Sequence, residues 1–376
     1  MAIGFSKILE QERERMAAKA AAKLPTLGFA MEIPSSLALE QCSSELTAEW
    51  KAEVALEFCG AGATAVADLT GGLGIDSLAF SKRFARVLYN DRNPALCEAA
   101  QRNFKAAGAE NIRVCNFEID ADGNDWQEAV SDFAPDLLYL DPARRSSSGA
   151  KVFRLQDCSP DIAALLPALE KLCPRILLKL SPMADISALF KWAGGRAVEL
   201  QVVEKDGECK ELLLLLGSGY AGPVVRVVLP EKGSLLEFRP AEEREAEARY
   251  ASVDFPFLFE PGAAFMKAGA FKLLCSRFPV SMLAPSVHLY AANAPIPELS
   301  PLGRWFSITD RLPFGKTGFK AAGVRYPRAE VSARGIPLRS EELRKRCGCI
   351  GGGKEHLFGV ETAAGRQVLV CERIAI

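Results

Sequence analysis

The sequence has few of the residues that usually hold metals. Among 376 residues there are only two histidines, His288 and His356, and the eleven cysteines include no Cys-x-x-Cys pair. We therefore expect no metal site. No apolar run approaches the roughly 20 residues that a membrane-spanning helix needs, and the charged N-terminus lacks the apolar core of a signal peptide. These absences favour a cytoplasmic protein whose cysteines are reduced.

Charge is nearly balanced overall but unevenly distributed. The formal net charge is −1 at pH 7. From Pro301 onward 14 Lys and Arg stand against 7 Asp and Glu, whereas the rest of the chain carries 32 and 40. A basic C-terminal region is typical of proteins with an anionic partner, and equally of an ordinary solvated basic surface.

Three segments differ in their hydrophobic pattern. Residues 1–60 have a helical period, with Ser44 or Thr47 as a plausible cap and Gly60 as a plausible stop. Beyond residue 60, short apolar runs alternate with helical stretches, which predicts an α/β fold with a parallel, Rossmann-like sheet. The strands are predicted at Ala65–Leu69, Val87–Asn90, Ile112–Asn116, Leu137–Leu140 and Ile176–Leu180.

The α/β region ends in two further apolar runs that meet at Asp206 and Gly207. Asp-Gly between alternating apolar residues is a strong hairpin signal. The sequence thus predicts five parallel strands followed by a terminal antiparallel hairpin. The remaining residues have frequent prolines and short helices, including "RSEELRKRCG" before another hairpin, which predicts one or two α+β modules.

A glycine-rich turn, "DLTGGLGIDS" from Asp68 to Ser77, follows the first strand and opens a helix. Its glycines would let the backbone turn tightly and approach a ligand closely. Asp91 closes the second strand, where an acid can bind a ribose diol. These features suit NAD as well as S-adenosylmethionine, but Asp68 and the terminal hairpin favour the latter because an acid in the turn suits a ligand that bears an amino group. Asp76 is predicted to cap the helix.

Polar residues also follow the next three strands. After the third strand, Glu118 or Asp120 is placed to approach an adenine amino group, and we favour Glu118. The fourth strand ends at Asp141-Pro142, where a carboxylate can accept a hydrogen bond from a substrate N–H. Many enzymes that methylate base amino groups place an aromatic ring shortly after this point. Here Arg144 takes that place, and its guanidinium can stack on a base or hold a phosphate.

With these motifs in order, the chain resembles class I S-adenosylmethionine-dependent methyltransferases. It is most similar to a bacterial group in which a ferredoxin-like segment and a small THUMP-like domain follow the methyltransferase domain. The resemblance rests on "KLP" at Lys23, "LEQCSSELTAEWKA", "DLTGGLGIDS", "YLDPARR", "LKLSPMADI", "FEPGAAFMKAGAFK", "HLY" at His288, "GRWF" at Gly303 and "GGGKEHLF". The N-terminal region is short for this group, which leaves its contact with a substrate in question.

The resemblance implies S-adenosylmethionine as the methyl donor and RNA (rRNA or tRNA) as the substrate, because THUMP domains bind RNA. It implies an N-terminal helical region at 1–60, the methyltransferase domain at 61–220, the ferredoxin-like α+β segment at 221–325 and the THUMP-like domain at 326–376. Two other hypotheses remain open: an RNA-binding module with little catalysis, and an NAD-dependent oxidoreductase. No oligomeric state is predicted.

The expected site residues fall into three groups. The catalytic residues are Asp141, Pro142 and Arg144. The cofactor-binding residues are Asp68, Thr70, Gly71, Gly72, Gly74, Asp91, Arg92, Glu118 and Asp141. The substrate-binding residues are Arg144, Arg145, Lys179, which would meet a phosphate or Asp141, and the basic residues Arg334, Arg339, Arg344, Lys345, Arg346 and Lys354.

Overall fold

The computed structural model describes residues 14–27, 31–121, 123, 125–144, 155–251 and 254–376. The chain divides into two compact units. The first comprises Met1–Val203, Lys210–Pro223 and Pro230–Gly233, and the second comprises Glu204–Cys209, Val224–Leu229 and Ser234–Ile376. In the described part of the chain, no helix is long and apolar enough to cross a membrane.

The first unit begins with helices. Residues 14–23 are helical, α1 spans Ser36–Gln41 and α2 spans Glu45–Cys59. Ser44 caps α2 through its side chain, and Gly60, with φ 87°, ends the helix. Both residues have the expected role, because a serine oxygen can accept an orphan N–H of the first turn and glycine tolerates a positive φ.

Strands and helices then alternate along the first unit. Its strands are β1 (Ala65–Asp68), β2 (Arg86–Asn90), β3 (Ile112–Cys115), β4 (Leu137–Leu140), β5 (Ala143–Arg144), β6 (Cys158–Ser159), β7 (Ile176–Leu180), β8 (Ala197–Lys205) and β9 (Glu208–Leu216). Its further helices are α3 (Ile75–Ser81), α4 (Pro94–Ala106), α5 (Asp125–Phe133), α6 (Ile162–Leu172) and α7 (Ile186–Ala193).

The main sheet of the first unit has the order β8-β9-β7-β4-β1-β2-β3. The strands from β7 to β3 run parallel to their neighbours, whereas β9 is antiparallel to β7. Asp206 and Gly207 both have positive φ, at 56° and 77°, as a two-residue hairpin turn between β8 and β9 requires. The predicted fold, five parallel strands finished by an antiparallel hairpin, is confirmed.

The strands β1 and β4 lie in the middle of the main sheet. Every residue of both strands is buried, as expected where helices cover both faces of a parallel sheet. The polar helix α5 and the two-residue pair β5–β6, which lies outside the main sheet, are elements that the hydrophobic pattern did not predict.

The second unit is α+β. Its strands are β10 (Val224–Leu229), β11 (Gly233–Phe238), β12 (Phe257–Pro261), β13 (Ser281–Ala284), β14 (Val287–Ala292), β15 (Gly303–Pro313), β16 (Arg328–Arg334), β17 (Ile350–Thr362) and β18 (Gly365–Ile374). Its helices are α8 (Pro240–Glu245), α9 (Ala263–Ala268), α10 (Phe271–Arg277), α11 (Lys316–Arg325) and α12 (Ser340–Cys347). A seven-stranded sheet has the order β13-β14-β12-β15-β18-β17-β16. The predicted helix and following hairpin correspond to α12 and to β17–β18.

Candidate functional site

A cavity of about 880 Å³ lies in the first unit, where the chain leaves the carboxyl ends of the parallel strands. This is the edge at which open α/β sheets bind ligands. Residues that follow β1, β2 and β3 line one half of the cavity, and residues of β7 and β9 and those after β4 line the other half. Part of its wall comes from α1 and the residues beside it.

The glycine turn after β1 requires glycine at two positions. A Cβ on Gly71 would lie 2.1 Å from Cε2 of Tyr89, because the tyrosine ring packs directly beneath the loop. The Tyr89 hydroxyl donates a hydrogen bond of 2.6 Å to the carbonyl oxygen of Gly72. Gly74 has φ +84°, and a Cβ there would lie 2.7 Å from the Phe104 ring. The loop is therefore packed tightly against β2 and α4.

Most N–H groups of this loop are already used within the protein. The Gly72 N–H donates to Oδ2 of Asp91 at 2.9 Å. The Gly71 N–H donates to the Asn90 carbonyl at 2.7 Å, and the Gly74 N–H to the Gly71 carbonyl at 2.8 Å. A dinucleotide-binding loop instead keeps its N–H groups free for a pyrophosphate. This geometry argues against NAD.

Asp68 lies behind the cavity wall. It is fully buried and does not line the cavity. Its Oδ2 accepts the Ser77 hydroxyl at 2.6 Å, and its Oδ1 accepts the Thr70 N–H at 3.2 Å. Burial raises the pKa of the Asp68 carboxyl to about 8. None of its atoms is accessible, and its two hydrogen bonds hold the loop in this conformation. The contact between Asp68 and an amino group of the cofactor stays a prediction.

The residues expected to hold a nucleoside line the first half of the cavity. Asp91, Arg92 and Glu118 are among them, together with Thr70 and the first two loop glycines. Asp120, the alternative to Glu118, is not part of the lining. Asn90, which the sequence pattern did not indicate, also lines the cavity. Its side-chain amide donates to the carbonyl oxygens of Leu69 and Phe117, each at 3.1 Å, and so connects the glycine loop to the segment after β3.

Asp141 and Lys179 meet in the second half of the cavity. The Lys179 ammonium is bonded to Oδ2 of Asp141, and the Asp141 N–H donates to the Thr70 hydroxyl at 2.6 Å. No described residue donates to Oδ1 of Asp141. Burial lowers the pKa of Lys179, but the carboxylates of Asp141, Glu211 and Asp76 outweigh it and raise the pKa overall. Of the two partners predicted for Lys179, the structure shows Asp141.

A buried ion cluster lies beside this pair. The Lys51 side chain is 0% exposed, and its ammonium lies 3.0 Å from Oε1 of Glu211 and 3.2 Å from Oδ1 of Asp76. Tyr139 donates to Asp76 Oδ2 at 2.8 Å. The pKa of Asp76 is lowered overall because Lys51 and Lys179 outweigh its burial. Asp76 lies within the first turn of α3, and Gly74 occupies the cap position. Asp76 is thus not the helix cap that we predicted.

The predicted substrate contacts are only partly described. Pro142 lines the cavity, whereas the Arg144 side chain and all of Arg145 lie outside the described residues. The six basic residues of the second unit that are predicted to bind the substrate are all exposed, and four of these six form ion pairs on its surface. These pairs are Arg334–Glu260, Lys345–Glu341, Arg346–Glu342 and Lys354–Glu372.

Two family models match the second unit. A ferredoxin-like domain matches residues 257–299, and a THUMP domain-like model matches residues 303–373. Over the whole chain, the crystal structure of a candidate methyltransferase from Porphyromonas gingivalis W83 is 31% identical, covering 96% of this chain and 89% of that one with a TM-score of 0.81. This chain belongs to the same family. It is a class I methyltransferase fold joined to ferredoxin-like and THUMP-like parts, as the motifs predicted.

Other matches are more distant. A human methyltransferase 10 domain containing protein is 14% identical, covering 55% of this chain and 96% of that one with a TM-score of 0.42. Precorrin-6y C5,15-methyltransferase from Geobacter metallireducens GS-15 is 13% identical, covering 50% of this chain and 93% of that one with a TM-score of 0.34. No curated protein matches this chain.

Proposed function

We propose that this methyltransferase-family protein uses S-adenosylmethionine to methylate a nucleotide in RNA, in rRNA or tRNA. The observation that carries the proposal is the hydrogen bond between the Gly72 N–H and Asp91 Oδ2. The Asp91 carboxylate lies against the glycine loop, where it would repel a pyrophosphate, and it also lines the cavity, where a carboxylate in this position can bind a ribose diol.

The charges around the cavity fit this cofactor. Its lining contains more acidic than basic side chains, namely Asp76, Asp91, Glu118, Asp141 and Glu211 against Arg92, Lys179 and Lys210. S-adenosylmethionine carries a sulfonium and an ammonium against one carboxylate, so an acidic cavity stabilises it. NAD carries a pyrophosphate, for which this lining offers fewer cations than acids.

When bound, S-adenosylmethionine supplies a methyl group already activated on a sulfonium. The protein's task is then mainly to orient the accepting atom. Asp141 lines the cavity, and its Oδ1, to which no residue in the described part of the chain donates, can accept a hydrogen bond from an amino group. Lys179 holds the other oxygen, and Thr70 holds the backbone of Asp141. This arrangement favours a nitrogen acceptor whose surplus proton leaves through Asp141 or solvent after transfer.

The exposed basic residues of the second unit support RNA as the substrate. Exposed ion pairs contribute only about 0–1 kcal/mol each, so their cations can exchange a carboxylate for a phosphate at little cost. We propose that Arg334, Arg339, Arg344, Lys345, Arg346 and Lys354 contact the RNA backbone. The roles of Arg144 and Arg145 at the target nucleotide remain part of this proposal.

Calorimetry tests the cofactor. We expect S-adenosylhomocysteine to bind the full chain, and Asp91→Ala to weaken that binding at least about tenfold, since a buried or partly buried charged hydrogen bond contributes roughly 1.5–3 kcal/mol. Asp132→Ala, which removes an exposed acid of α5 away from the cavity, is the matched control. Tight binding of NADH without binding of S-adenosylhomocysteine would contradict the proposal.

Nucleoside mass spectrometry tests the substrate. Total RNA from cells with and without the gene should differ by one methylated nucleoside. Complementation with the Asp141→Ala variant should leave that nucleoside absent although the variant still binds S-adenosylhomocysteine. If the variant restores the modification, Asp141 is not catalytic. If the two RNA samples are identical, the protein is better described as an RNA-binding module on a methyltransferase fold.

A further inference from the structure

One wall of the cavity, formed by α1 and the residues beside it, has no role in the proposed chemistry. Among base-methylating enzymes a ring after the Asp-Pro turn commonly stacks on the extruded base. This chain has alanine and arginine there, and none of the cavity residues that follow β4 or β7 is aromatic. A base entering this cavity needs an apolar surface from another element.

The helix α1 presents such a surface. Leu37, Ala38 and Gln41 all line the cavity, and their spacing places them on one face of the helix. Leu39 points the other way and is buried. Leu37 is 58% exposed, and among the described residues none hydrogen-bonds the carboxamide of Gln41. The cavity-facing side of α1 therefore combines a free apolar group with a free amide.

This helix is held firmly in place. The Lys23 ammonium donates to the carbonyl oxygens of Leu39 and Glu40, both at 2.8 Å, at the C-terminal end of α1. Cations at that end also stabilise the helix dipole. Just beyond α1, the Ser43 hydroxyl donates to Asp76 Oδ2 at 2.9 Å. Because these hydrogen bonds fix the position of α1, its exposed Leu37 forms part of a preformed surface of the cavity.

The same hydrogen bonds place the C-terminal end of α1 at the second half of the cavity, which contains Asp141 and Lys179. Ser43 accepts a hydrogen bond from Lys51 at 3.0 Å, and Lys51 pairs with Glu211 on β9. The charge of Lys179 acts to lower the pKa of both Cys42 and Lys23, which end and hold α1. Lys179 is the partner of Asp141, so α1 ends beside the group that would receive the acceptor.

We propose that the face of α1 formed by Leu37, Ala38 and Gln41 holds the extruded nucleobase, with Leu37 covering the ring and Gln41 bonding its edge. The inference rests on the proposed function and adds the residues that select the acceptor. A nucleobase is the occupant that fits, because it has an apolar face and an edge of donors and acceptors that a carboxamide can match. The cavity is also near the upper limit of the roughly 300–1,000 Å³ range of small-molecule sites, which leaves room for a base beside a cofactor. The N-terminal region then supplies a substrate contact.

The test measures methyl transfer with tritiated S-adenosylmethionine and total RNA from cells that lack the gene. We expect Leu37→Ala to raise the KM for RNA about tenfold, as loss of one buried leucine contact would, and Leu37→Phe to keep it at the wild-type value or lower. Gln41→Ala should raise the same KM. In all three variants kcat and the Kd for S-adenosylhomocysteine should stay within about twofold of wild type. Met266→Ala truncates a partly exposed apolar side chain on the short helix α9, outside the cavity, and is the matched control.

Two results would overturn the inference while leaving the proposed function intact. One is an unchanged KM for RNA in both Leu37→Ala and Gln41→Ala. The other is a matching loss of S-adenosylhomocysteine affinity, which would show that α1 covers the cofactor instead. If wild-type protein transfers no methyl group to this RNA, the proposed function itself fails, and the inference falls with it. We expect the Leu37 and Gln41 variants to fold, because each keeps the Ser35 cap of α1 and the bonds from Lys23 to its backbone.

Discussion

At the scale of single residues, the pair formed by Lys179 and Asp141 is the part of the site on which transfer should depend most. We expect Lys179→Met to lower kcat about 100-fold, because the variant leaves the partly exposed Asp141 carboxylate without its cation and without the hydrogen bond that holds it, and a hydrogen bond to a charged group contributes roughly 1.5–3 kcal/mol. Lys179→Arg should recover part of the loss. The affinity for S-adenosylhomocysteine, measured by calorimetry, should change little. Equal losses of kcat and cofactor affinity would show that Lys179 serves the cofactor and not Asp141.

The burial of Asp68 leads to a prediction about how the free energy of unfolding depends on pH. Its pKa rises from 3.8 in a model peptide to about 8 in the folded chain. A carboxyl group with a raised pKa favours folding only while it is protonated, so its contribution is present below about pH 4 and is lost as the pH rises through about 8. In Asp68→Asn the amide oxygen can still accept the Thr70 N–H, the amide nitrogen can donate to the Ser77 hydroxyl oxygen, and the side chain cannot ionise. The fall in the free energy of unfolding between pH 5 and pH 8.5, measured with urea, should be smaller in the variant, and an equal fall would contradict this account.

At the scale of elements, hydrophobic period predicted the strands well because each parallel strand is a short buried apolar run between polar turns. The element α5 was missed, although its buried residues Trp126, Val130 and Phe133 stand at the i, i+4, i+7 spacing of an amphipathic helix. The pattern also assigned Asp76 as a helix cap, whereas Asp76 lies in the first turn of α3 and Gly74 occupies the cap position. The sequence does not show that Asp68, the last residue of β1, is fully buried. Lys51 was missed because its partner Glu211 is 160 positions away.

The glycine turn allows a comparison of two substitutions on one element. Gly72 has φ +55° and open space around it, whereas Gly74 has φ +84° and the Phe104 ring 2.7 Å from the position of a Cβ. We expect Gly72→Ala to cost about 1–2 kcal/mol from the left-handed backbone alone. Gly74→Ala should cost about 1–3 kcal/mol more because the ring must also move. Urea unfolding of both variants measures the difference, and equal costs would mean that Phe104 gives way freely.

At the scale of the whole molecule, the order of motifs carried more information than any motif alone. The glycine turn by itself suited two cofactors, and Asp-Pro by itself was an ordinary strand end. Placed on one sheet in the order observed, they predicted the class I fold and the side of the sheet that carries the cavity. The position of α1 in the cavity wall could not be predicted, because it depends on hydrogen bonds that Lys23 and Ser43 make between distant parts of the chain.

The uneven charge of the chain leads to the last prediction. If the basic residues of the second unit bind RNA phosphates, each cation removed should lower the slope of log K against log salt by about 0.7–0.9. We expect the triple variant Arg339→Gln, Arg344→Gln, Lys354→Gln to bind total RNA more weakly, with a slope reduced by about two to three, while its Kd for S-adenosylhomocysteine is unchanged. The control neutralises Arg113 and Lys191, exposed cations of the first unit outside the cavity. An unchanged salt dependence in the triple variant would show that this basic surface is only solvated and that the RNA is held elsewhere.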